Sequence, residues 1–164
     1  MAKLIEDINI ASDWVIKAFG VDGLKLDHSV ESFKAIDKFF DLHAENGEAR
    51  PGGRLSENQG AILFSIGSYV GNTIIKNVPE ATWRTNDEDP QGEVNVEVIL
   101  PDGTTIYPVQ RTIKRFKNGD EDSIYAYGVI VVRDIARGDY WERSKEGGSG
   151  FAPALPKKPW WKFW

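Results

Sequence analysis

The chain has 164 residues, a formal net charge of −5, no cysteine, 41% hydrophobic and 27% charged residues. That length and mix fit one globular domain of ordinary size, and the missing thiols exclude disulfides, thiolate metal sites and a cysteine nucleophile. The charge is uneven, with +3 in residues 144–164 and −8 in residues 1–143, and an acidic body argues against nucleic acid, whose phosphates need a basic face.

Met1-Ala2-Lys3-Leu4-Ile5-Glu6-Asp7 places acidic residues where a secretory signal needs an unbroken apolar run. No stretch reaches the ~18 apolar residues of a membrane span. A cytoplasmic protein of bacterial style is expected. Residues 3–19 read as a first helix, with Leu4, Ile5, Ile8, Ala11, Val15 and Phe19 recurring at spacings of three and four and Trp14 bordering that stripe. Gly20 and Gly23 should end it, Gly20 in the left-handed position after the last turn. Ser29 is a good cap for a second helix that buries Phe33, Ile36, Phe39, Phe40 and Leu42, reaches about Glu45 and stops at Asn46-Gly47. Residues 48–55 form a loop leading into the stretch around which the domain is organised, residues 56–76.

Ser56 and Gln59 have the spacing of a capping box. Ile62, Leu63, Phe64, Ile66, Tyr69, Val70, Ile74 and Ile75 then cover most of the helix circumference, the pattern of a buried helix. Gly60, Gly67 and Gly71 share one face, and a row of glycines in a helix interior predicts close approach of another backbone. The helix should end near Asn77, ahead of Pro79. The period then changes to two. Residues 81–85 read as a strand, and residues 86–92 as a polar loop. Residues 93–100 are a second strand with Val94, Val96, Val98 and Leu100 on one face, and residues 104–107 a return strand after the Pro101-Asp102-Gly103 turn. Pro108 opens a helix with Val109, Ile113 and Phe116 inward and Asn118-Gly119 at its end. Asp122 or Ser123 can cap a last element through Ile135; its valines and isoleucines favour strand, its cap and length favour helix, and a helix ending near Gly138 is the preferred reading.

The candidate sites are few. His28 and His43 are the only histidines; fifteen residues apart on one helix they stand ~22 Å from each other and cannot share a metal, and His28 reads as half of a hydrophobic staple with Phe33. Asp87, Asp89 and Gly92 resemble the first half of a calcium loop, but Val98 stands where the bidentate Glu belongs, so residues 86–92 are read as a solvated loop. Ser68 lies in Gly67-Ser68-Tyr69-Val70-Gly71, out of register with a nucleophile elbow and within a helix, which argues against a serine hydrolase. Arg50 and Arg54, with Gly52 and Gly53 between them, precede a helix N-terminus and form a candidate anion-binding loop. No metal site and no cofactor are expected.

The composition shifts after residue 143. Gly147, Gly148, Ser149 and Gly150 lie in a flexible linker, and three of the six tryptophans occupy the last five positions. Trp160, Trp161, Phe163 and Trp164 are expected to anchor a contact that Lys157, Lys158 and Lys162 steer. Three readings stay open for this tail: an anionic membrane surface, a protein partner or second copy, or docking on its own domain.

Leu26-Asp27-His28-Ser29-Val30-Glu31-Ser32-Phe33 with Asp37, Gly67-Ser68-Tyr69-Val70-Gly71, and Leu100-Pro101-Asp102-Gly103-Thr104 with Pro108 together resemble small bacterial cytosolic domains of unknown function. The resemblance covers about residues 24–135 and implies no activity and no catalytic residues. The expectation is therefore one α+β domain over residues 1–143, with helices on a roughly three-stranded antiparallel sheet, followed by a flexible C-terminal tail over 144–164. Its leading function is non-enzymatic protein binding through the acidic surface and the Trp/Lys-rich tail. The alternatives are an immunity-type inhibitor of a bacterial toxin and a small enzyme with an anion site at Arg50 and Arg54.

Overall fold

The computed structural model of the chain describes residues 3–135; the expected linker, tail and tail site residues lie outside the described residues. Helix α1 (Leu4–Val21) buries Leu4, Ile8, Val15 and Phe19 of the expected stripe, leaves Ile5 and Ala11 half-buried at its edge, and buries Ser12 as well. It runs two residues past Phe19 because Gly20 stays helical. Gly23, at φ +77°, takes the left-handed position instead, and Leu24 N–H to Phe19 O with Gly23 N–H to Gly20 O closes the helix end in a Schellman motif.

Ser29 Oγ accepts the Ser32 N–H at 3.1 Å and caps a 3₁₀ turn, Val30–Ser32, that leads into α2 (Phe33–His43). Phe33, Ile36, Phe39 and Phe40 are buried, but Leu42 is 54% exposed. Nine residues past Phe33, at 100° each, it falls on the opposite side of the helix. The helix also ends short of Glu45. Ala44 turns extended, and β1 (Ala44–Glu45) pairs with β2 (Glu48–Ala49) around Asn46 and Gly47, both at positive φ. Asn46-Gly47 is thus a tight hairpin turn rather than a simple stop.

Helix α3 (Gln59–Asn77) is the centre of the fold, with α1 packed along it and ten residues buried. The capping box does not form. Asn58 is the N-cap, in a left-handed conformation that turns the chain between Ser56 and Gln59; Ser56 Oγ donates to Gly53 O and Gln59 Nε2 to Leu55 O. The glycine face divides in three. A methyl at position 67 would lie 2.6 Å from Val109 Cα, so a backbone does approach there. At Gly71 the neighbour is the ring of Trp83, and at Gly60 there is open space.

Strands β3 (Thr82–Arg84), β4 (Glu97–Ile99) and β5 (Thr105–Ile106) form the expected antiparallel meander, with Trp83 opposite Val98 and Val98 opposite Ile106. Val96, Val98 and Leu100 point inward. Val94 is exposed, because the N–H groups of Val94 and Asn95 both turn back to Gln91 O and the strand starts later. Gly103, at φ +87°, completes the turn between β4 and β5.

Pro108 opens α4 (Pro108–Asn118), whose Val109 packs into the Gly67 notch. The last described element is helical, as preferred: α5 (Ile124–Val129) continues into π-helical turns over Ile130–Ile135, with Ser123 Oγ accepting the Ala126 N–H. Its expected end near Gly138 lies outside the described residues. One buried polar network joins α2, α4 and α5. Arg115, 3% exposed, donates through Nε to Asp37 Oδ1 at 2.9 Å, and Asp37 also accepts from Ser123 Oγ and the N–H groups of Ile124 and Tyr125. Asp37 therefore caps α5 from a different helix. Among the described residues no helix is long and apolar enough to cross a membrane.

Candidate functional site

The Arg50 and Arg54 loop lies where the end of α1 meets the start of α3. The backbone packs closely at Gly53, where a methyl at its Cα would lie 3.2 Å from His43 Nδ1 and 3.1 Å from Arg50 O. The Arg54 N–H donates to His43 Nδ1, so the neutral His43 carries its proton on Nε2. The Arg54 guanidinium grips Asp22, just past α1, through Nε at 3.1 Å and Nη2 at 2.6 Å. These hydrogen bonds hold the Asp22 carboxyl below its ordinary value. Arg50 Nη1 donates to Glu45 Oε2 at 3.3 Å. Both candidate anion-binding arginines thus already hold carboxylates.

Beside this ion pair opens a cleft of about 590 Å³. Trp14, Phe19, Phe39 and Ile62 give it an apolar lining, and Asp22, Arg54 and Glu57 add charge. Trp14 is half exposed, and Ile10 and Val21 are 67% and 82% exposed. Positions 10, 14 and 21 fall within ~40° of one another around a helix. Ile10, Trp14 and Val21 therefore share the outer face of α1 with the exposed Lys17, and Trp14 and Val21 open onto the cleft. The spacing of Ile10, Trp14 and Val21 was the available sequence signal; the inward stripe of the same helix masked it.

The remaining sequence candidates are structural in their contacts. His28 stands at φ +61°, donates its N–H to Tyr69 Oη at 2.8 Å and stacks on the Tyr69 ring with centroids 5.0 Å apart. Its staple partner is therefore Tyr69, not Phe33, because the left-handed backbone aims the ring at α3. Asn77 Nδ2 donates to His28 O, and the hydroxyls of Ser32 and Tyr69 are 2.6 Å apart. Asp87 Oδ1 accepts the Leu4 N–H and caps α1 across the fold, while Asp89 holds Gln91 N–H and Asn95 Nδ2. Ser68 is fully buried within α3. Among the described residues no group of three His, Asp or Glu side chains is placed to hold a metal.

Burial lowers the pKa of His28, reinforced by Lys76 and opposed by Asp13 and Asp27. Burial also lowers that of His43, with Asp22 opposing and Arg54 reinforcing. The unfolded chain then binds more protons than the folded one below the usual 6.5. The stability these neutral rings contribute is complete above that value and is lost as pH falls through the folded values. The thermal midpoint should drop as pH is lowered through and below the ordinary histidine value, and His28→Asn, which tolerates the left-handed backbone, should flatten that drop. Thermal unfolding followed by circular dichroism as the pH is lowered checks it. An identical slope in the variant would remove His28 from the account.

Comparison with protein-family models, with curated proteins and with solved structures finds no match to this chain.

Proposed function

We propose that the chain is a non-enzymatic binding protein of the cytoplasm that holds a basic protein partner against its acidic surface, with the α1 cleft as the anchoring pocket. The Trp/Lys-rich segment, residues 157–164, serves as a second contact of opposite charge, suited to a protein or to an anionic membrane face. The observation that carries this reading is the exposed Trp14 and Val21, beside Ile10, opening onto a cleft with an apolar lining and a charged rim. Exposed apolar patches with polar borders are characteristic of contact surfaces, and tryptophan is prominent among interface anchors. Residues 3–135 hold fourteen Lys and Arg against twenty-two Asp and Glu, a net −8, which steers a basic partner toward the domain.

An immunity-type inhibitor, in which the partner is a basic toxin, is one specific form of the same reading. The enzyme alternative finds less support, since an anion at Arg54 has to displace a bidentate carboxylate already in place.

The test is affinity capture from a cell extract with the full chain and with its Trp14→Glu variant, at low and high salt. Because Trp14 is half exposed, the variant should unfold at nearly the wild-type temperature. The expected result is a basic protein retained by the wild type at low salt, released at high salt and not retained by Trp14→Glu. Equal retention by both chains would remove the cleft from the reading.

A further inference from the structure

The cleft and the segment beyond the described residues share apolar character, and the described domain as a whole and that segment carry opposite net charge. We propose that residues 157–164 dock on the α1 cleft of their own chain, with tryptophan rings against Trp14, Val21 and the apolar lining and lysines toward Glu57, so that the surface is covered until a partner displaces them. This inference rests on the reading of that cleft as the binding surface.

Residues 136–164 carry a net +3 and residues 3–135 a net −8, so the segment is drawn to the domain. Three tryptophans and Phe163 lie within the last five positions, and Ile10, Trp14 and Val21 on α1 have no cover among the described residues. The connection is long enough. Arg133 pairs with Glu31 at 2.9 Å, near the start of α2, where His28 O accepts from Asn77 at the end of α3. The cleft lies at the other end of α3, beside Asn58 and Ile62. The segment therefore has to travel about the length of a 19-residue helix, ~28 Å. The 21 residues between Ile135 and position 157 can span up to ~70 Å. An intramolecular connection of this size holds its end at an effective concentration on the order of millimolar, so a contact too weak to form between separate chains is populated within one.

The absence of native cysteine allows a single spin label. Ala154→Cys is labelled with a nitroxide in the full chain, and paramagnetic broadening of backbone amides is read by two-dimensional nuclear magnetic resonance at low protein concentration. The expected result is intensity loss confined to the outer face of α1 and to residues 52–58, abolished by adding Trp14→Glu. Broadening on another face, or none on the domain, overturns the proposal. So does broadening that appears only between isotope-labelled chains and spin-labelled chains in a mixed sample, which assigns the contact to a second copy. A failure of this kind leaves partner capture intact, because capture is compared with residues 157–164 present in both chains. Conversely, equal capture by Trp14→Glu removes the partner reading whatever the spin label reports.

Discussion

Asp37→Ala is expected to destabilise the domain by about 3–5 kcal/mol, the range found when one partner of a buried charge pair is removed, and to lower the thermal midpoint by roughly 10 °C. Two losses coincide at this position. Arg115, almost fully buried, loses the acceptor facing its Nε, and α5 loses the carboxylate that accepts the N–H groups of Ile124 and Tyr125 and the Ser123 hydroxyl. The neighbouring carboxylates do not substitute for it. Asp41 and Asp120 also accept from Arg115 Nη2, but their side chains are 60% and 88% exposed, where an ion pair is worth about 0–1 kcal/mol. Asp41→Ala and Asp120→Ala should therefore shift the midpoint little. Arg115→Met should fall between these, since Asp37 keeps its three donors at the start of α5 and the shorter apolar side chain replaces only the stem of the arginine, leaving the guanidinium site over Phe40 empty. Urea unfolding of the four variants checks the order; an Asp37→Ala chain as stable as Asp41→Ala would dismiss the network as a source of stability.

Gly67→Ala and Gly60→Ala should move stability in opposite directions although both lie in α3. At position 60 a methyl meets nothing within 4 Å, so the substitution only restricts the unfolded chain and should add about 0.4–1 kcal/mol. At position 67 the same methyl meets the backbone of Val109 at 2.6 Å. Helix α4 has to shift away, and overpacking of this kind costs about 1–3 kcal/mol or more, against a helix-propensity gain of only ~0.8–1 kcal/mol. A net loss is expected, visible as a lower urea midpoint. Stabilisation by both substitutions would show that α4 does not rest on Gly67.

The covered-cleft proposal gives the uneven charge of the chain a mechanical role. Under that proposal the opposite net charges of the domain and of the segment beyond it would draw the segment to the domain at low salt, and a partner would compete for the same cleft. The ion pair of Arg54 with Asp22 sits at the rim of that cleft, so the Arg50 and Arg54 loop also shapes the cleft.

Helices α1, α3 and α4, the meander, the Ser29 cap and the choice of Asp122 or Ser123 for the last cap were legible in the amino-acid order, because helix period, strand alternation and turn chemistry are set by residues a few positions apart. The same locality explains the small errors. The capping box, the Gly20 cap and the straight stop at Asn46-Gly47 each had the right residues, but competing hydrogen bonds closed instead: Ser56 Oγ to Gly53 O with Gln59 Nε2 to Leu55 O, Gly23 N–H to Gly20 O, and the Ala44 to Ala49 pairing. What decides the rest acts across long separations. Asp37 meets Ile124 over 87 positions and Asp87 meets Leu4 over 83, and the helical state of a valine- and isoleucine-rich last element is supported by the first of these contacts. The cleft likewise needs the end of α1, the 50–58 loop and Phe39 of α2 in one place. Linear spacing carries hydrophobic period but not which capped end meets which carboxylate; that pairing exists only once the helices have packed.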